Sequence, residues 1–243
     1  MICKLPLRLD LKTAIAVASP NAFMAKSATA LKWPIGVLIF SMTPALIMSI
    51  VDVASSVSGN WIEFTSLAIG IIMYAAIRYI FLGERSWTST FEVLHHELIH
   101  AFLALCCFCT VEEIKASRCS GGHVKYGGQG NWLITIGPYF LPLLPLIIAC
   151  ASTLIAEPFS YFAIALTGFS MGFYYFSLQD DFHMNQTDLK KVGFPFSVIF
   201  LIPANIMAIL LVTLISINGA DGFGIWFEAI WTNTYDLVFF RLS

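Results

Sequence analysis

The sequence predicts an all-α, multi-pass membrane protein of about six transmembrane helices, with a short β-hairpin or re-entrant segment after the third. Three observations predict it. Of 243 residues, 58% are hydrophobic and 12% charged, with a mean hydropathy of +0.80, whereas soluble domains carry about 25% charged residues. The apolar residues come in runs of roughly 20, the length a helix needs to cross a bilayer, near 34–54, 62–82, 89–111, 131–156, 159–179 and 194–217. The polar residues collect in two interruptions, 111–131 (VEEIKASRCSGGHVKYGGQGN) and 179–193 (QDDFHMNQTDLKKVG).

Residues 1–32 form a basic N-terminal segment, with Lys4, Arg8, Lys12, Lys26 and Lys32 against Asp10. Its apolar stretch around 14–18 is short and ends at Pro20, which suits a basic amphipathic segment better than a signal peptide. Residues 33–220 read as one membrane-embedded domain with its core at 89–217. Pro138, Pro142 and Pro145 kink the fourth span, and Pro34, Pro44 and Pro203 read as ordinary kinks. Gly168 and Gly172 make a small-xxx-small pattern that packs helices within the bundle rather than a dimer. In 221–243, Phe227, Trp231, Tyr235 and Phe239 recur every four residues, which predicts an interfacial helix; a packed terminal helix is the alternative.

With six alternating spans, eight Lys/Arg fall on the N-terminal side and five on the other, which favours a cytoplasmic N-terminus. A net charge of −2 offers no basic face, so nucleic acid is excluded as a partner. The six cysteines lie mostly in or beside apolar runs and read as reduced thiols. The partner is the lipid bilayer itself, and a bacterial inner membrane is the expected location. Oligomeric state is not encoded in any pattern found.

Residues 91–108 read FEVLHHELIHAFLALCCF, and His96-Glu97-Leu98-Ile99-His100 is an HExxH sequence. On a helix, positions i and i+4 lie about 5–6 Å apart on one face, so the two imidazoles can bind one tetrahedral Zn²⁺. Glu97, one position round, can then reach a water on the metal. Composition alone predicts roughly 0.003 such matches in a chain like this. Ionisable groups within an apolar run are costly and usually mark function. His95 lies about 100° round the helix and reads as a hydrogen-bond donor behind the site or a neutral packed histidine. Glu92 is either an acceptor for a ligand imidazole or an acid near the water boundary. A third ligand must come from elsewhere, and Glu157, Asp180, Asp181, His183 and Asp188 are available downstream. Cys106, Cys107 and Cys109 lie too far up the helix for the same metal and read as packing residues.

HELIH in an apolar run, Gly137-Pro138 in the next, and a later acidic residue together resemble the site-2 protease family of intramembrane zinc metalloproteases, over roughly 90–195. The resemblance implies that His96, His100 and a distal Asp bind zinc, that Glu97 is the general base, and that Gly137-Pro138 shapes the helix beside the site. The closest match to the family's Asp context is Gln186-Thr187-Asp188-Leu189, lacking its Pro or Gly; it favours Asp188, with Asp181 in reserve. Gln186, like Glu92 and His95, is expected behind the ligands. No PDZ-like insertion is present, so the resemblance is to a minimal member.

The stretch Gly122-His123-Val124-Lys125-Tyr126-Gly127 can form a hairpin with an exposed edge, which in the family lies beside the site; a polar surface turn is the alternative. A substrate helix must unwind to offer its peptide carbonyls, and an edge strand satisfies the freed groups. His123, Val124 and Lys125, with Gln129 and Asn131 as backbone donors, are therefore the expected contacts to a membrane-protein or membrane-associated peptide substrate. The expected activity is zinc-dependent endopeptidase. Two alternatives stand: a membrane HExxH protease with a Glu third ligand, for which Glu157 is the main candidate, and a zinc-binding transporter or structural protein without protease activity.

Overall fold

The computed structural model describes residues 7–10, 18–57, 59–81, 88–117 and 121–239. They form two compact units, one of Met1–Ile35, Ile80–Leu141 and Asp181–Ser197, the other of Gly36–Tyr79, Pro142–Asp180 and Val198–Ser243.

The first unit sets a small sheet against one helix. Strands β1 (Leu7–Asp10), β2 (Thr110–Ser117) and β3 (Gly121–Gly127) pair antiparallel in the order β1-β2-β3. The expected hairpin is present, as β2 and β3. Its third strand comes from the N-terminal segment, where four residues in a basic context give too short a pattern to read as a strand. Helix α4 (Thr88–Cys106) follows α1 (Ala18–Ser41), α2 (Thr43–Val57) and α3 (Trp61–Phe81) in the chain and carries HELIH. It ends short of the expected residue 111. The Cys109 N–H reaches back to the Ala104 carbonyl at 2.8 Å, and Phe108 takes φ 59°, a left-handed C-terminal turn usually given to glycine. The buried Asn21 side chain locks this turn. Its amide donates to the Cys107 carbonyl at 3.0 Å and the Gln129 carbonyl at 3.2 Å, and its oxygen accepts from the Gln129 N–H at 2.6 Å.

After the sheet come α5 (Trp132–Ile136), a 3₁₀ turn (Gly137–Tyr139), α6 (Leu143–Ser152), α7 (Phe159–Asp181), α8 (Thr187–Val192), α9 (Phe194–Asn218) and α10 (Asp221–Val238). The second unit is helical among the described residues. Helices α3 and α7 touch along glycines: a Cβ on Gly168 would lie 2.0 Å from the Leu67 carbonyl oxygen, and one on Gly70 would lie 1.9 Å from that of Ala165. The small-xxx-small pattern thus packs this bundle. Helix α10 rests on α2 through buried Asn233, which donates to Ser49 Oγ at 3.1 Å and Asp52 Oδ2 at 2.6 Å. Its Phe223, Phe227, Trp231 and Phe239 are exposed.

Among the described residues, three helices are long and apolar enough to cross a membrane: Trp61–Ile80, Phe159–Asp181 and Phe194–Asn218. Two bent pairs raise this to five if each is one span, Pro20–Ser41 with Thr43–Ser55 at 47° and Trp132–Tyr139 with Leu143–Ser152 at 67°. Exposed Ile62, Ile69, Ile72 and Phe162 on the straight spans suit a lipid solvent. Three to five among the described residues falls short of the six spans expected, while the kink expected in the fourth from its prolines is present as the 67° bend. Helix α4 falls outside the set because Glu92, His95, His96, Glu97 and His100 dilute its 19 residues, and the run 131–156 breaks between Tyr139 and Leu143, among its prolines.

Candidate metal centre

All the donors lie in the first unit. His96 and His100 stand one turn apart on α4, their ring centroids 4.9 Å from each other, and Asp188 faces them from α8. The ligand atoms of these three side chains lie within 4.8 Å of one another. His100 Nε2 is 3.3 Å and His96 Nε2 3.7 Å from Asp188 Oδ2. Charge-assisted hydrogen bonds are shorter, about 2.7–2.9 Å. Two ligands each about 2.0–2.1 Å from a tetrahedral ion stand roughly 3.3 Å apart, so the separations suit a shared cation better than direct bonds. Two imidazoles and one carboxylate are a donor set zinc accepts, with a fourth position open. The fit is good on both counts.

The far nitrogens are also engaged. His96 Nδ1 donates to Asp181 Oδ2 at 3.1 Å, and His100 Nδ1 donates to the Ile134 carbonyl at 2.8 Å. Such partners fix which nitrogen is left for a metal. The Ile134 carbonyl is brought there by two local devices. Asn131 caps α5, its side-chain oxygen accepting from the Ile134 N–H at 3.1 Å. Gly137 lets the turn lie on α4, since a Cβ there would stand 2.1 Å from Leu103 Cδ1.

Helix α8, which carries Asp188, is held at its C-terminus. Lys32 Nζ donates to the Val192 carbonyl at 2.6 Å and lies over the Phe196 ring at 4.8 Å, a cation at the negative end of the helix. Phe196 in turn meets Trp33 and Trp132 edge-on at 5.4 and 5.1 Å. Burial would raise the Asp188 carboxyl, but the imidazoles of His100 and His96 and the Lys191 ammonium outweigh it and hold the group well below its ordinary range. Asp188 is therefore an anion ready for a cation.

Glu97 is buried beside the two histidines. Strand β3 presses on it: a Cβ on Gly122 would lie 2.6 Å from both Glu97 Cγ and Oε1. β3 is a sheet edge among the described residues, with β2 on its other side. His123 and Lys125 point outward from it and are exposed, while Val124 is half-buried. Lys125 pairs with Glu112 at 2.8 Å, and that hydrogen bond holds its ammonium above the usual lysine range.

The remaining candidates are placed as follows. Asp181 stands on His96 Nδ1, where Glu92 was one expectation; Glu92 itself is half-buried. Asp180 pairs with Arg78, Glu157 accepts from the Tyr161 hydroxyl at 2.9 Å, and His183 lies in the bend after α7. His95 is buried. Gln186 is the residue before α8 and faces the Tyr139 hydroxyl. Asn131, expected to offer its amide to substrate, is buried, with that amide on Cys107 Sγ at 3.3 Å. Sequence reasoning missed Ile134, whose contribution is a main-chain carbonyl, and Tyr139, whose buried ring meets His96 edge-on at 5.4 Å. Asn131 three residues ahead of Ile134 is a capping signal from which α5 was readable.

No protein-family model, curated protein or solved structure matches this chain.

Proposed function

We propose that this protein is a zinc-dependent intramembrane endopeptidase resembling the site-2 proteases, hydrolysing peptide bonds of membrane-associated proteins. The observation that carries the reading is a buried carboxylate, Glu97, next to a two-histidine, one-aspartate donor set and beneath a strand edge. His96, His100 and Asp188 hold the ion. Zinc, when bound, supplies a Lewis acid and lowers the pKa of its water towards about 7. Glu97 takes the proton of the attacking water and returns it to the leaving amine nitrogen. The edge of β3 pairs with an unwound stretch of substrate, satisfying backbone groups that a helix would otherwise satisfy itself. Exposed His123 and Lys125 flank that stretch.

The test is Glu97→Gln beside wild type, purified in detergent for zinc content and expressed in cells for mapping of new N-termini among membrane proteins. Both chains are expected to hold about one zinc, and only wild type to generate new termini. A zinc-binding transporter or structural protein gives identical termini in both, and a wild-type chain without zinc ends the reading.

A further inference from the structure

We infer that Asp181 is a positioning residue for the metal centre, holding the His96 ring by its Nδ1 proton so that Nε2 faces Asp188 and the ion; the inference rests on the zinc reading above. The sequence offered Asp181 only as a reserve ligand. Its geometry argues against that. Asp181 and Asp188 address opposite nitrogens of one ring, Asp181 Oδ2 at 3.1 Å from Nδ1 and Asp188 Oδ2 at 3.7 Å from Nε2. The lone pairs of these nitrogens diverge, so an ion on Nε2 shared with His100 is across the ring from Asp181. The 3.1 Å contact is a normal hydrogen bond, and the contacts to Asp188 are longer.

The two ligand histidines are therefore held by unlike partners. His100 donates to a neutral main-chain carbonyl, Ile134, fixed by the Asn131 cap. His96 donates to a carboxylate oxygen of a side chain that is 36% exposed. A carboxylate draws on the imidazole proton more strongly than a carbonyl does and makes the far nitrogen a better donor to a metal. Of the tandem acids only Asp181 is free for this, because Asp180 pairs with Arg78. Loss of such a partner typically lowers metal affinity by about 10 to 100-fold while leaving the ligands in place.

The experiment compares wild type, Asp181→Ala, Asp181→Asn and Asp188→Ala, each purified in detergent, stripped with chelator and titrated with zinc against a chromophoric competitor. Cobalt substitution reports coordination through its visible spectrum, and circular dichroism reports the fold. The expected result is one zinc per chain at saturation in both Asp181 variants, a wild-type-like cobalt spectrum, and affinity about 10 to 100-fold weaker for Asp181→Ala. Asp181→Asn keeps an acceptor oxygen and recovers part of that loss, which a merely structural role would not produce. Asp188→Ala loses stoichiometric binding. Two results overturn the inference: Asp181→Ala losing stoichiometry as Asp188→Ala does, which makes Asp181 a ligand, or Asp181→Ala binding as tightly as wild type. Absence of zinc from the wild type overturns the metal centre itself, an outcome distinct from either.

Discussion

Replacing Gly122 by alanine tests the contact between strand β3 and Glu97, the proposed base. Gly122 needs no unusual backbone, so the substitution acts through space alone. The new Cβ would lie 2.6 Å from Glu97 Cγ and Oε1 and 2.7 Å from Val93 Cγ1. Ordinary contacts fall near 3.5–4.0 Å, so strand or carboxylate must yield by about 1 Å. Overpacking of this kind costs about 1–3 kcal/mol, and a chain of this length loses roughly 2–4 °C of Tm per kcal/mol. The variant should therefore melt about 2–12 °C lower. A displacement of about 1 Å at a reacting group costs on the order of 100-fold in rate, so cleavage should fall that far while zinc content stays at the wild-type level. The assay measures Tm in detergent, zinc per chain and substrate cleavage. Gly121→Ala is the control: with φ +72° and nothing within 4 Å, it strains the backbone by about 1–2 kcal/mol without touching Glu97. Unchanged melting and cleavage in Gly122→Ala would refute the close seat of β3 on α4. Equal loss of cleavage in both variants would refute the specific role of the Glu97 contact.

Asn21→Ala removes the acceptor of the Gln129 N–H and the donor to the Cys107 carbonyl, at about 1–3 kcal/mol for a buried group left unsatisfied. It should lower Tm by several degrees and speed amide exchange at Gln129. Gly168→Ala drives a Cβ to 2.0 Å from a carbonyl oxygen and should abolish or severely reduce folded yield, whereas Gly224→Ala, facing open space, should be neutral by the same yield measurement. Acid should release zinc. Metal ligands bind only when deprotonated, so apparent zinc affinity should fall as the pH is lowered, read in a competitor titration.

The candidate metal site was legible where it is local. His96, Glu97 and His100 share one helix, and an i, i+4 spacing fixes their relation before any tertiary structure is known. Asp188 was reached through a resemblance, because nothing local ties a carboxylate on α8 to α4. The acceptor of the His96 proton was sought one helical turn away at Glu92, yet it is Asp181, 85 residues on. The Ile134 carbonyl was invisible in principle, since every residue carries one. The helical class was readable from hydropathy, but the number of spans was not. Apolar runs register the total of buried and lipid-facing surface; they do not register a left-handed turn at Phe108, whereas the bend after Tyr139 was readable from the prolines around it.

The donors on α4 and the donor on α8 are separated by roughly 90 residues of chain, so an ion bridging them closes a large covalent circuit, as a disulfide would. In the chain-entropy picture such a closure restricts the unfolded ensemble by roughly 4–5 kcal/mol. The ion is then a clasp as well as a reagent. Chelation should loosen the stretch that α8 anchors before it touches the spans, and limited proteolysis should cut first around 182–193 while helix content stays constant. On the proposed reading the same ion that activates water would also hold α8 to α4, so a chelated chain should lose both the reaction and the protection of that segment.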